Sequence, residues 1–311
     1  MIPILLGISL IVQLLIDITP GDPARIIAGS TATEAEYAKI REDLGLNDSF
    51  FVRYVRFIKN AVQGNFGISY ASRRHVWADI STRFPYTLML VAFSIGLSVL
   101  IGIPIGVFAA THQYSWKDNV AILASLFCVS MPNFWFALLI VQFFAVKLRI
   151  LPPAGADTWK GWIMPIISLA LGFTATVARQ IRSDMLEVIR QDYIVTARAK
   201  GQTENKVLYR HALKNALIPV IMVIGTIFGL SLGGALVTET IFSLPGLGTY
   251  VITGLSGLDY PVIQGTVLFL SAMFSIVILI VDIVFAFVDP RIRSQYIKKK
   301  KREEAIISGK A

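Results

Sequence analysis

Two stretches of this chain, Leu88 to Thr111 and Val120 to Val146, run for 24 and 27 residues without a charged side chain. A helix needs about 20 mostly apolar residues to cross the hydrocarbon layer of a bilayer. Four further stretches share this character: Ile2 to Thr19, with Asp17 near its end; Trp162 to Ala178, short and leading into Arg179 and Arg182; Ala216 to Val237; and Val262 to Val288, broken only by Asp282. The chain as a whole is 55% hydrophobic and 16% charged, where a soluble domain carries about 25% charged residues. This argues against a soluble enzyme, a disordered chain or a disulfide scaffold. The single cysteine, Cys128, leaves no intrachain disulfide and no cysteine-cluster metal site. The expected fold is an all-α polytopic membrane protein of six transmembrane helices, the first over residues 1–19 and the other five within 86–288.

Ile2 to Thr19 does not read as a cleaved signal peptide. No basic residue precedes it, and Pro20-Gly21-Asp22-Pro23 is not a small-residue cleavage site.

Orientation follows from Lys and Arg in the connections. Arg179 to Lys214 holds eight of them, the tail at 289–311 holds eight more, and Glu239 to Pro261 holds none. Six spans put both basic segments, and both termini, on the cytoplasmic side. The long connection Pro20 to Pro85 then lies outside despite its nine basic residues, in a length range where the charge rule is weak.

That outer segment has helical character of its own. Thr33 can cap a helix to Leu44 with Glu34 and Glu36 in its first turn. Phe51, Val55, Ile58 and Val62 recur at helical spacing over Phe50 to Val62. A helical cap over residues 20–85 is expected, compatible with docking of an extracytoplasmic partner. On the cytoplasmic side, residues 183–215 read as helix, turn, helix. Met185 to Lys200 is rich in helix formers, Gly201 is a plausible C-cap, and Thr203 can cap the next helix. Such a basic knob is either a solvated positive-inside loop or a helix that enters a groove on a cytoplasmic partner.

Catalytic chemistry is sparse. The chain has no G-x-x-x-x-G-K-[ST], no H-E-x-x-H, no G-x-S-x-G and no metal-ligand cluster. His75, His112 and His211 fall in expected connections. Asp282, inside the last span, is the clearest intramembrane charge, and such residues are costly and often functional. Glu239 and Gln264 are weaker candidates for lining a path, as is Gln142. So few buried ionisable groups weigh against an ion-coupled secondary transporter or channel, the alternative reading. Gly102 and Gly106, and Gly225, Gly229 and Gly233, repeat at i+4 and would let helix backbones approach closely.

Asp192-Tyr193-Ile194-Val195-Thr196-Ala197-Arg198-Ala199-Lys200-Gly201, followed by His211-Ala212-Leu213-Lys214-Asn215-Ala216-Leu217-Ile218-Pro219, resembles the cytoplasmic "EAA" loop of ABC-importer permeases, in its peptide-importer form. Thr19-Pro20-Gly21-Asp22-Pro23-Ala24, Gly64-Asn65-Phe66-Gly67-Ile68-Ser69, Pro245-Gly246-Leu247-Gly248 and Asp259-Tyr260-Pro261-Val262-Ile263-Gln264 match the same family in the same order. The resemblance implies the ABC importer type I permease fold and the first of two permeases in a dipeptide, oligopeptide, glutathione or nickel importer. Residues 23–29, 60–64 with 72–74, and 155–159 are most similar to glutathione permeases, with dipeptide permeases next. It further implies, as partners, a second homologous permease, two cytoplasmic ABC ATPase subunits and an extracytoplasmic substrate-binding protein. ATP and Mg would be bound by those ATPases, with no cofactor in this chain and no nucleic-acid partner. Asp192, Thr196, Ala197, Arg198, Ala199, Lys200, Gly201 and Asn215 would form the ATPase-coupling loop. The chain departs from the general pattern in two ways. Val195, Thr196 and Ala197 stand where a glutamate and two alanines usually precede the glycine, so only Ala197 and Gly201 survive. Family members usually carry a short basic stretch before the first span, so a start placed downstream of the native one, or a truncation, is expected.

Overall fold

A computed structural model describes residues 1–29 and 32–288. The basic tail expected at 289–311 lies outside the described residues. All six apolar stretches fold as helices. The chain opens with α1 (Ile2–Ile18), an apolar helix of 17 residues. Next comes α2 (Pro23–Ala28), where Pro23 occupies the first turn and Asp22 caps it by accepting the Ala24 N–H at 2.9 Å. The same carboxylate takes the Tyr37 hydroxyl at 2.6 Å and pairs with Arg41, which ties α2 to α3 (Glu34–Asp43). Thr33 caps α3 as its sequence implies. Its hydroxyl accepts the Glu36 N–H, and the Glu36 carboxylate accepts the Thr33 N–H at 2.8 Å. The amphipathic α4 (Phe50–Val62) completes this segment.

Then follow α5 (Val76–Thr111), α6 (Trp116–Ser130), α7 (Asn133–Ile140), which runs on as a π-helical turn over Val141–Lys147, and α8 (Trp159–Ile189). The loop helices α9 (Asp192–Ala199) and α10 (Glu204–Lys206) lead through a π-helical turn, Val207–Ala212, into α11 (Leu213–Gly234). The short α12 (Leu236–Ile241) and α13 (Leu247–Ser256) precede α14 (Tyr260–Val288). By length and composition α5, α8, the run Glu204–Gly233 and α14 are each long and apolar enough to cross a membrane.

Two expected helices are divided. Val120 to Val146 breaks between Ser130 and Asn133, with Met131 extended at φ −74° and ψ 126°. Pro132 has no N–H to give to the helix and disfavours the helical region for the residue before it. Met185 to Lys200 breaks at Arg190-Gln191, where Gln191 is extended before α9 starts. A continuous helix would carry Ile194 and Ala197 away from the core; the break lets both be buried.

The described chain forms two compact units. One comprises Met1–Phe93, Asn133–Leu169 and Leu230–Ser275; the other comprises Ser94–Pro132, Ala170–Gly229 and the residues from Ile276. The first unit is organised around Val76, Ile80, Leu247, Tyr250 and Val262. Asp79, Glu239 and Asp259 are buried carboxylates in it. Asp259 accepts the Ser69 hydroxyl at 2.6 Å and the Ala71 N–H at 3.1 Å; Asp79 accepts the Tyr250 hydroxyl at 3.1 Å and pairs with Arg74. The second unit is organised around Val107, Val177, Ile181, Met185, Ile194, Val207 and Ala216. Its helices approach through the expected glycines. A Cβ on Gly102 would meet the Thr174 carbonyl at 2.9 Å, one on Gly106 would clash with the Ala178 carbonyl, and one on Gly225 would clash with Val281.

Backbone carbonyls cannot move aside as side chains can, so Gly106→Ala should destabilise the protein by about 1–3 kcal/mol. Gly96→Ala, on the same helix with nothing within 4 Å of the added carbon, should be neutral or slightly stabilising. Thermal unfolding of the two detergent-solubilised variants checks the contrast.

Candidate functional site: the basic helical loop

The loop is a small packed body. From α9, Ile194 and Ala197 turn inward against Val207, Ala212 and Ala216 and reach Ile181 and Met185 of α8. Two polar ties close it. The Asn215 amide donates to the Tyr193 hydroxyl and to the His211 carbonyl, both at 3.0 Å, and His211 Nε2 lies 2.8 Å from Gln202 Oε1. Gly201 ends the first limb at φ +71°, a backbone conformation that side-chain-bearing residues rarely adopt.

The outward side of α9 carries Asp192, Val195, Thr196, Ala199 and Lys200, all exposed. Thr196 donates its hydroxyl to the Asp192 carbonyl at 2.9 Å, so it offers a methyl group rather than a free donor. Arg198 is exposed but bidentate to Glu204, at 2.6 and 3.1 Å. That hydrogen-bonded carboxylate raises the already high pKa of the guanidinium. Thr203 stands at the N-cap of α10, but its side chain makes no capping hydrogen bond. Of the eight loop residues singled out from sequence, Ala197 is buried and belongs to the loop's own core. Asp192, Thr196, Arg198, Ala199, Lys200, Gly201 and Asn215 are surface residues.

Three features were not legible from the loop sequence alone. A cavity of about 360 Å³ opens beside the loop, lined by Asp184, Glu187, Gln191, Tyr193, Asn215 and Pro219. Tyr193, Val195 and Tyr209 leave large apolar surface exposed. Arg182 of α8 makes a bidentate pair with Asp118 in the first turn of α6, at 2.6 and 2.7 Å, and Asp118 is only 1% exposed. Long-range partners such as these are set by how helices pack, not by local pattern.

The candidates for lining a path fall in both units, Glu239 and Gln264 in the first and Asp282 in the second. Glu239 is 1% exposed and engaged on both oxygens: Thr87 donates to Oε1 at 2.6 Å, and the Thr249 N–H donates to Oε2 at 3.1 Å. Thr87 in turn accepts the Leu247 N–H at 2.9 Å. Burial pushes the Glu239 carboxyl above its ordinary range, while the Thr87, Thr249 and Gly248 donors pull the other way. A Cβ on Gly246 would clash with the Glu239 carboxylate, so glycine there leaves room for it. These contacts make Glu239 an anchor for the Leu244–Thr249 turn. Gln264 bonds Gln13 of α1 and borders a cavity of about 470 Å³. Asp282 is exposed on α14, in the other unit. Among the described residues no three His, Cys, Asp or Glu side chains converge as metal ligands do.

The family described as "Binding-protein-dependent transport system inner membrane component" matches residues 102–294, and its N-terminal companion matches residues 1–91. The chain is 39% identical over 293 residues to the glutathione transport system permease protein GsiC of Escherichia coli (strain K12), covering 94% of this chain and 96% of that protein. It is 40% identical, with the same coverage, to the protein of that name from Salmonella paratyphi A. Among solved structures, an inward-facing conformation of the MetNI methionine ABC transporter superposes with TM-score 0.57 at 18% identity, over 68% of this chain and 96% of that one. At that identity the likeness speaks for the fold alone.

Arg182→Ala would leave the Asp118 carboxylate buried with the Tyr114 N–H at 3.1 Å. Losing one member of a buried pair should cost about 3 kcal/mol, and replacing both by leucine should recover much of that. A double-mutant cycle in chemical unfolding measures the difference.

Proposed function

Because the chain belongs to the family of inner membrane components of binding-protein-dependent transport systems, we propose that it is one of two permease subunits of an ATP-driven importer of small peptides, with glutathione the first substrate to test and dipeptides the second. The substrate reading is supported by likeness to the two glutathione permeases across nearly the whole chain. The partners are a second homologous permease, two cytoplasmic ATPases that hold the ATP and Mg, and an extracytoplasmic binding protein. The protein sits in the cell membrane as a multi-pass chain, with both termini on the cytoplasmic side in this reading.

The loop geometry supports a mechanical role, and it is the observation that carries the mechanism. Exposed Val195, Thr196, Ala199 and Lys200 form a ridge fit to enter a cleft on an ATPase. On the opposite side of the same helix, Ile194 and Ala197 are buried in one core with residues of α8 and α11. Close-packed interiors transmit displacement rather than absorb it. A shift of α9 when two ATPases close would therefore move α8 and α11 with it and switch the path between its two faces. Such coupling asks for no catalytic side chain in this chain. Arg198 is internally paired and adds stiffness to the turn around Gly201.

Gly201→Asp, and independently Ala199→Asp on the exposed ridge, should leave membrane levels normal and abolish co-purification of the ATPase. Unchanged co-purification in both variants would remove the coupling assignment. For the substrate, uptake of labelled glutathione and of a labelled dipeptide is compared in cells with and without the gene. Loss of glutathione uptake alone supports the proposal; loss of dipeptide uptake alone keeps the mechanism and replaces the cargo.

A further inference from the structure

The helix α4 is inside out for a solvated cap. Phe51, Val55, Ile58 and Val62 form one stripe along it, and Phe51, Val55 and Val62 are 73%, 62% and 83% exposed. Its opposite face carries Arg53, Arg56, Phe57 and Asn60, which border the cavity shared with Gln13 and Gln264, with Arg56 still exposed. Arg53 pairs with Asp17 at 2.7 Å, and Arg56 pairs with Asp48. A helix packed on a protein and facing water shows the reverse arrangement.

The position of α4 explains the inversion. The Tyr54 hydroxyl donates to the Leu6 carbonyl at 2.9 Å and lies 3.1 Å from Ser9 Oγ, while the neighbouring Arg53 reaches Asp17. These three partners span most of α1, so α4 lies along the flank of that apolar helix rather than beyond its end. The outward side of α1 is itself apolar, with Leu6, Leu10, Ile11 and Leu14 exposed. The stripe on α4 is carried by a helix held against this apolar one through Tyr54 and Arg53.

We propose that α4 is embedded in one leaflet, with Phe51, Val55 and Val62 among lipid acyl chains beside α1. Its length of 13 residues and its three basic side chains keep it from spanning. A strongly amphipathic, basic helix of this kind lies in the interface plane. On the inward side, Arg53 pairs with Asp17 and Tyr54 with Leu6 and Ser9, internal partners of the kind polar groups at that depth require. Exposed Lys59, at the edge of the stripe, can extend its ammonium to the headgroups. The inference rests on α1 crossing the membrane and is independent of the cargo.

The test uses the assembled transporter in vesicles of phosphatidylethanolamine and phosphatidylglycerol. On a Cys128→Ser background, Phe51→Cys, Val55→Cys and Val62→Cys are spin-labelled one at a time, with Glu34→Cys on the polar α3 as the water-facing reference. The three labels should collide several-fold more with oxygen, and several-fold less with a water-soluble nickel chelate, than the label at residue 34. Free access of the nickel chelate would overturn the proposal in favour of a solvated cap. Exclusion of both reagents would overturn it in favour of a protein partner on this face. As a second readout, the added emission of Val62→Trp over the parent chain should be quenched by brominated acyl chains; absence of quenching would also overturn it.

Discussion

Lipid offers no hydrogen bonds, so every amide that enters the hydrocarbon layer must be satisfied by the chain itself. This constraint makes the protein helical, and it governs the places where the helices stop. At Met131-Pro132 the break is made by a residue with no N–H to leave unpaired. Between α11 and α13 the non-helical turn is held by Glu239: Thr87 and Thr249 donate to its carboxylate, and the Leu244 N–H returns to its carbonyl at 2.8 Å. A buried carboxylate is costly unless it is hydrogen-bonded. Thr87 and Thr249, one on each side-chain oxygen, with room left by Gly246, meet that cost locally.

The same economy of polar groups shapes the loop between α8 and α11. Its inward side is aliphatic and close-packed, and its polar side chains are used to tie one limb to the other. Its exposed side carries the ridge of Val195, Thr196, Ala199 and Lys200 among other charged and polar residues. That division lets a loop be soluble on one side and rigidly joined to membrane helices on the other. An exposed, floppy basic loop would satisfy the orientation rule equally well, but it would transmit nothing.

Much of this was legible in the amino-acid order. The apolar stretches, the Thr33 capping box, the Phe50–Val62 helix and the turn at Gly201 each follow from local pattern and occur as expected. The division of 185–200 into two helices did not, because nothing local opposes one continuous helix there. It results from the burial of Ile194 and Ala197 against residues as distant as Val107 and Val220. Among the site candidates, Gly201 was readable from backbone chemistry. The anchoring of Glu239 by Thr87, 152 residues away, was not.

By itself the sequence determined a helical membrane chain, the number of its apolar stretches, and a family marked by motifs spread along its length. Each of these depends on composition or on spacing within one or two helical turns. Tertiary structure decided which side of each amphipathic helix turns inward, which carboxylates have partners and where glycines meet a neighbouring backbone. The stripe on α4 shows the difference. Its periodicity is written in the sequence, but its direction depends on Tyr54 and Arg53 finding Leu6, Ser9 and Asp17 on α1. Periodicity defines a face, and only contacts between distant segments say what that face meets.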